Sequence, residues 1–132
     1  MRELKAYSYA TVRVVPRVDR EEFLNVGVIL FSAELRFLAA RISFEEERLL
    51  TLWPTLDLVS VRRHLETIPR ICAAAADGGT IAKLALKERF HWLTAPRSTI
   101  VQVSPVRSGL TEDPAASLAH LMRELVLPDL ES

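Results

Sequence analysis

The sequence predicts an α+β domain, a mainly antiparallel sheet of about four strands with helices packed on it. Three observations predict it. Strand-like patterns follow one another near the start of the chain, and apolar residues then switch to three- and four-residue spacing. No linker, repeat or low-complexity stretch divides the 132 residues, a length suited to one core. Residues 1–132 are therefore expected to form a single domain.

"AYSYATVRVV" (6–15) alternates with period two and is rich in Tyr, Thr and Val, the pattern of a strand whose faces are solvated differently. "VGVILFS" (26–32) is apolar without alternation, as in a strand covered on both faces. "RFLAARIS" (36–43) follows after the short "AEL", so the two read as a hairpin. Ser43 with Glu46 three positions on has capping-box spacing, and Pro54 is expected to close the short helix that follows. Leu58, Val61, Leu65, Ile68, Cys72 and Ala75 form one stripe of a longer helix ending at "DGG" (77–79). Pro69 inside it, facing the Leu65 carbonyl without an N–H to offer, is expected to kink or break it.

The pattern over 81–93 is helix-like but ambiguous, and "STIVQV" (98–103), after the Pro96 turn, reads as a fourth strand. Asp113 before Pro114 is an N-cap with proline at the first helical position. It opens a helix whose Leu118, Leu121, Met122 and Leu125 face the core until Pro128.

Charge and composition narrow the function classes. Lys plus Arg and Asp plus Glu each total 17, so no global field attracts nucleic acid or anionic lipid and only a local basic patch could. Cys72 is the sole cysteine and sits in the apolar run "IPRICAAAA", which excludes an internal disulfide and predicts a small buried hydrophobe. His64, His91 and His120 are too scattered for a sequence-local metal motif, so neither metal nor cofactor is expected. The run Glu45 to Glu47 suits the first turn of a helix better than a pair of catalytic carboxylates. Gly27, Gly78, Gly79 and Gly109 belong to no phosphate-cradling loop. With no leader pattern and no apolar stretch near the ~18 residues of a membrane span, a cytoplasmic protein without membrane contact is expected.

Three separated stretches, "YSYATVRVVPRVDREEFLNVGVILF", "RFHWLTAPRSTIVQ" and "SPVRSGLTEDP", together resemble the bacterial domain-of-unknown-function family numbered 3037 (DUF 3037), in the same order and over nearly the whole chain. The resemblance implies a small bacterial cytoplasmic domain with no established activity, often encoded beside a protein resembling a HipA-like kinase, which is the partner it suggests. The third stretch departs from the family pattern, which has His where this chain has Arg107. A catalytic role for that histidine does not carry over.

Two stretches hold the candidate binding residues. In "RVVPRVDREEFLNVG", Arg13, Arg17 and Arg20 leave the first strand, and Glu22 and Asn25 precede the second, so a polar loop is expected at one end of the sheet. In "ERFHWLTAPRSTIVQVSP", Arg89, His91 and Arg97 are the candidates. If Arg89 and Arg97 converge on the loop, the result is a cleft suited to a phosphate or an acidic partner segment; the competing expectation is that the loop's Arg and Glu residues pair as structural ions. An enzymatic alternative makes His91 a general acid or base, Arg89 or Arg97 an anion clamp, and Ser98 or Thr99 a nucleophile or donor, but nothing local orients His91. The favoured reading of this stretch places Phe90, Trp92 and Leu93 in the core, leaves His91 a satisfied or exposed polar group and makes "APRST" a turn. Trp92 is then expected to be at least largely buried and Trp92→Ala to cost ~3–5 kcal/mol. The sequence thus favours a non-enzymatic interaction or accessory protein over a nucleic-acid-binding module or a small hydrolase or transferase using His91 and Arg97.

Overall fold

Residues 3–74, 79–97 and 99–128 are described by a computed structural model. Their strands are β1 (Lys5–Val14), β2 (Leu24–Ser32), β3 (Phe37–Ile42), β4 (Val101–Val103) and β5 (Arg107–Thr111). Their helices are α1 (Glu46–Leu52), α2 (Leu58–Cys72), α3 (Leu86–Leu93) and α4 (Pro114–Leu125), and short 3-10 turns lie at Val18–Arg20 and Ile81–Lys83. The sheet is open and antiparallel in the order β3-β2-β1, with β4 and β5 sharing the far side of β1: β4 pairs with its C-terminal end and β5 with its N-terminal half.

Helices cover both faces. Leu49 of α1, Val61, Leu65, Ile68 and Ile71 of α2, and Phe90 and Leu93 of α3 pack with Val12, Val14, Ile29 and Phe31 on one side; Phe90 stacks on Phe31 with ring centroids 5.2 Å apart. Leu118, Leu121 and Met122 of α4, with Val126, pack on Val28 and Leu30 on the other. β2 therefore lies between two apolar layers, and Val26 to Ser32 are all buried, as its unbroken apolar run predicts. The Asp113 carboxylate accepts from the Ala116 amide at 3.2 Å, so the expected cap of α4 forms.

Several expectations are corrected. Ser43 does not cap α1: its amide donates to the Val26 carbonyl (2.7 Å), prolonging the β3 pairing, and the helix starts three residues later with Glu45 at the N-cap. Pro69 does not break α2, which continues to Cys72; the packing of Val61, Leu65, Ile68 and Ile71 on the sheet outweighs one missing backbone bond. The helix ends short of the 77–79 stop; 75–78, including Ala75, lie outside the described residues, as does Ser98 at the expected start of β4. Leu125 is exposed and Val126 takes its place in the core. β5 is an additional strand whose sequence, "RSGLT", holds a single large apolar residue and so lacks a strand pattern. A Cβ at Gly109 would lie 2.6 Å from the end of the Tyr7 ring across the pair, so glycine lets that ring lie over the strand. Among the described residues no helix is long and apolar enough to cross a membrane.

Candidate functional site

The connection from β1 to β2 closes on itself electrostatically. Arg17 pairs with Asp19 at 2.7 Å, and Arg20 pairs with Glu22. Their hydrogen bond holds the Asp19 carboxyl below its ordinary range and raises Arg17. All four side chains are exposed, so solvent screens both pairs and each contributes little to stability. Arg17, Arg20 and Glu22 meet Leu52 and Trp53, at the end of α1, around a cleft of about 240 Å³.

The second stretch resolves into three separate environments. Arg89, only 8% exposed, points inward and donates Nε to the Leu84 carbonyl (2.9 Å) and Nη1 to the carbonyls of Ile71 (2.9 Å) and Cys72 (2.8 Å). Those last two belong to the C-terminal turn of α2, whose carbonyls have no further amide in their own helix, so a cation there answers both hydrogen-bonding need and helix dipole. Arg89 therefore does not converge with Arg97 on the loop. His91 is exposed on α3, its ring 6.5 Å from that of Phe90, with no hydrogen bond among the described residues.

Trp92 corrects the expectation of burial. Phe90 and Leu93 are in the core, but Trp92, at the other edge of the helix, is 38% exposed. The Arg97 guanidinium lies over its ring, 4.2 Å from the centroid, and Arg97 Nη2 donates to the Trp92 carbonyl at 2.6 Å. A cleft of about 240 Å³ lies at this pair, lined also by the apolar Ile68, Ile71 and Val101 and the polar His64, Thr67 and Thr99. The Thr99 hydroxyl donates to the Val101 carbonyl at 2.6 Å.

Arg13 and Asn25 lie elsewhere again, as cross-strand neighbours of β1 and β2, with Asn25 Nδ2 donating to the Leu125 carbonyl of α4 at 3.2 Å. The eight candidate residues are thus divided. Arg17, Arg20 and Glu22 share one cleft, Arg97 lines a second, Arg13 and Asn25 sit on the sheet, His91 stands alone, and Arg89 is internal.

Sequence reasoning missed His64 and Thr67 as cleft residues, because they come from α2 and only tertiary packing brings them to Trp92. The five-residue step from Trp92 to Arg97 across a Pro-containing turn was the one legible signal of their stacking. Among the described residues, no group of three or more His, Cys, Asp or Glu side chains is placed to hold a metal ion. Burial pushes the Cys72 thiol up to about 12, against the opposing influence of Arg89, so it stays protonated and a poor nucleophile.

No match was found among curated proteins or among solved structures. Residues 9–126, nearly the whole chain, match the family described as a protein of unknown function, DUF3037, and the chain belongs to that family.

Proposed function

We propose that this domain is a non-catalytic protein-binding module of the bacterial cytoplasm, and that the Trp92–Arg97 cleft receives an acidic side chain or chain end of its partner. The observation that carries this reading is the stacked pair itself. Arg97 is held by the Trp92 ring and carbonyl, yet forms no ion pair among the described residues. A partly exposed Trp, an oriented guanidinium and an adjacent apolar wall have the composition of an interface hot spot, where an aromatic anchor gives contact area and Arg gives a planar fork for a carboxylate. By contrast, the arginines of the 16–23 loop already have carboxylates of their own, which lowers what a partner gains from them.

The protein to test first is a HipA-like kinase, the partner that the resemblance to the family suggests. Co-expression should yield a stable complex, and calorimetry should show that Arg97→Glu and Trp92→Ala each weaken it by ~2 kcal/mol or more. Arg17→Glu, in the other cleft, should have the smaller effect. Failure of the two proteins to associate, or an affinity unchanged by both cleft substitutions, would remove this assignment. Binding to a single-stranded oligonucleotide that weakens steeply with salt would favour the nucleic-acid alternative, since phosphate contacts release counterions. Turnover that disappears with His91→Ala would favour the enzyme.

A further inference from the structure

The middle of β1 is flanked by irregular pairing on both sides. Toward β2 the register slips between Val12, opposite Gly27, and Arg13, opposite Asn25, leaving Val26 extra. Toward the other edge, Val12 pairs with Val103 but Tyr9 with Arg107, so Ser104, Pro105 and Val106 stand against Ala10 and Thr11. Ser104 ties this bulge down: its amide donates to the Thr11 carbonyl (2.9 Å) and its hydroxyl oxygen accepts from the Thr11 amide (2.8 Å). Bulges re-aim side chains and recur beside binding sites.

By strand alternation, Tyr9, Thr11 and Arg13 all project to the α4 side of the sheet, joined there by Arg107 opposite Tyr9 and Asn25 opposite Arg13. Three buried polar atoms in this one patch have no hydrogen-bond partner among the described residues: Thr11 Oγ1, Arg13 Nε and Asn25 Oδ1. Thr11 is only 6% exposed. The Arg13 guanidinium lies 4.1 Å from the Phe23 ring centroid, a contact that holds it in place but gives its Nε–H no acceptor. Neither Arg13 nor Arg107 forms an ion pair among the described residues, although burial and the Arg107 charge both bear on Arg13 and lower its pKa. Buried polar groups are nearly always bonded, so three unpaired ones beside two guanidinium groups give this patch the donors and charge to bind an anion.

The orphan set also selects the anion. Arg13 Nε–H can only donate and the Thr11 hydroxyl can do either, but Asn25 Oδ1 can only accept; its orientation follows from the Nδ2 bond to Leu125. A carboxylate has no proton to give that oxygen. A phosphate group near its second pKa has both acceptor oxygens and a P–O–H donor. We propose that Thr11, Arg13, Asn25 and Arg107 form a binding site for a phosphate group, inorganic or a small monoester, on the α4 side of the sheet, independent of the Trp92–Arg97 cleft.

The test is titration of the ¹⁵N-labelled full chain with inorganic phosphate, with glycerol 3-phosphate and with acetate, at matched ionic strength. The expected result is saturable shifts at the Thr11 and Asn25 amides and at Arg13 Nε–H with the phosphates, and binding at least about tenfold weaker with acetate. Tighter binding of glycerol 3-phosphate identifies a monoester site, and tighter binding of inorganic phosphate a site for the free ion. Arg107→Gln, at an exposed strand position that does not threaten the fold, should weaken phosphate binding by about tenfold or more, while Arg17→Gln leaves it unchanged. Absence of saturable shifts, equal response to acetate, or indifference to Arg107→Gln would overturn the proposal.

Discussion

Replacing Arg89 by Met is the sharpest probe of how this domain holds together. Met keeps an apolar stem of similar reach and removes the guanidinium, so the loss is that of the three bonds to the Leu84, Ile71 and Cys72 carbonyls. The Ile71 carbonyl keeps a second donor, the Ala74 amide at 3.2 Å, but the Cys72 and Leu84 carbonyls lose the donor that Arg89 supplies. An orphaned buried acceptor costs ~1–3 kcal/mol, and a hydrogen bond to a charged group is worth ~1.5–3 kcal/mol. Relief of the desolvated charge offsets part of this, which leaves an expected loss of ~3–5 kcal/mol. For a domain of this size that corresponds to a fall in melting temperature on the order of 10–20 °C. Urea unfolding followed by circular dichroism measures it. Arg89→Lys should lose about half as much, because an ammonium lacks the rigid fork that reaches three carbonyls together. The effect should also be insensitive to salt up to about 0.5 M, since the partners are buried carbonyls rather than exposed carboxylates. A loss for Arg89→Met under ~1 kcal/mol, or one that shrinks strongly with salt, would refute the view that this arginine joins the end of α2 to the start of α3.

Three further outcomes are expected. Trp92→Ala should cost only ~1–2 kcal/mol in thermal or urea unfolding, well below a core tryptophan, because much of the ring already meets solvent or Arg97. Gly27→Ala should destabilise by ~2–3 kcal/mol and more than Gly109→Ala, measured the same way. At Gly27 the new Cβ would meet the Arg41 carbonyl oxygen of the neighbouring strand at 2.6 Å, whereas at Gly109 it meets the end of the Tyr7 ring, which can turn aside. Finally, the folded protein keeps the Cys72 thiol neutral up to about 12 against an ordinary 9.0, so the unfolded chain releases that proton first. The thiol's contribution is complete below pH 9.0 and is lost as pH rises toward about 12; urea midpoints across that range should fall less steeply for Cys72→Ala than for the wild type.

What the sequence determined by itself is the set of features that arise from local periodicity and from atoms a few bonds apart. The strand at 6–15, the unbroken apolar run of β2 and the Asp113-Pro114 helix start are each imposed by neighbours along the chain and are realised. But β1 does not have the differently solvated faces its alternation predicts: Ala10, Thr11 and Val12 are buried in succession because helices cover both faces of the sheet. The order of the three motifs likewise marks the family, whose match runs over residues 9–126. Tertiary structure decided the rest wherever two distant segments compete for one group. Ser43 has the spacing of a cap, but its amide is claimed by Val26 of the adjacent strand. Pro69 opposes a helix locally, yet its flanking apolar residues gain more from the sheet than the missing bond costs. Arg89 and Arg97 look alike in "ERFHWLTAPR". One is drawn inward because the end of α2 leaves carbonyls in need of a donor, and the other lies on Trp92 because a turn brings it back over the ring. The same physics governs Arg13 and Arg107, ninety-four positions apart in number but placed on one side of the sheet by two pairings of β1 and the bulge between them. Register and bulges are relations between strands, so no pattern within a single segment reveals them.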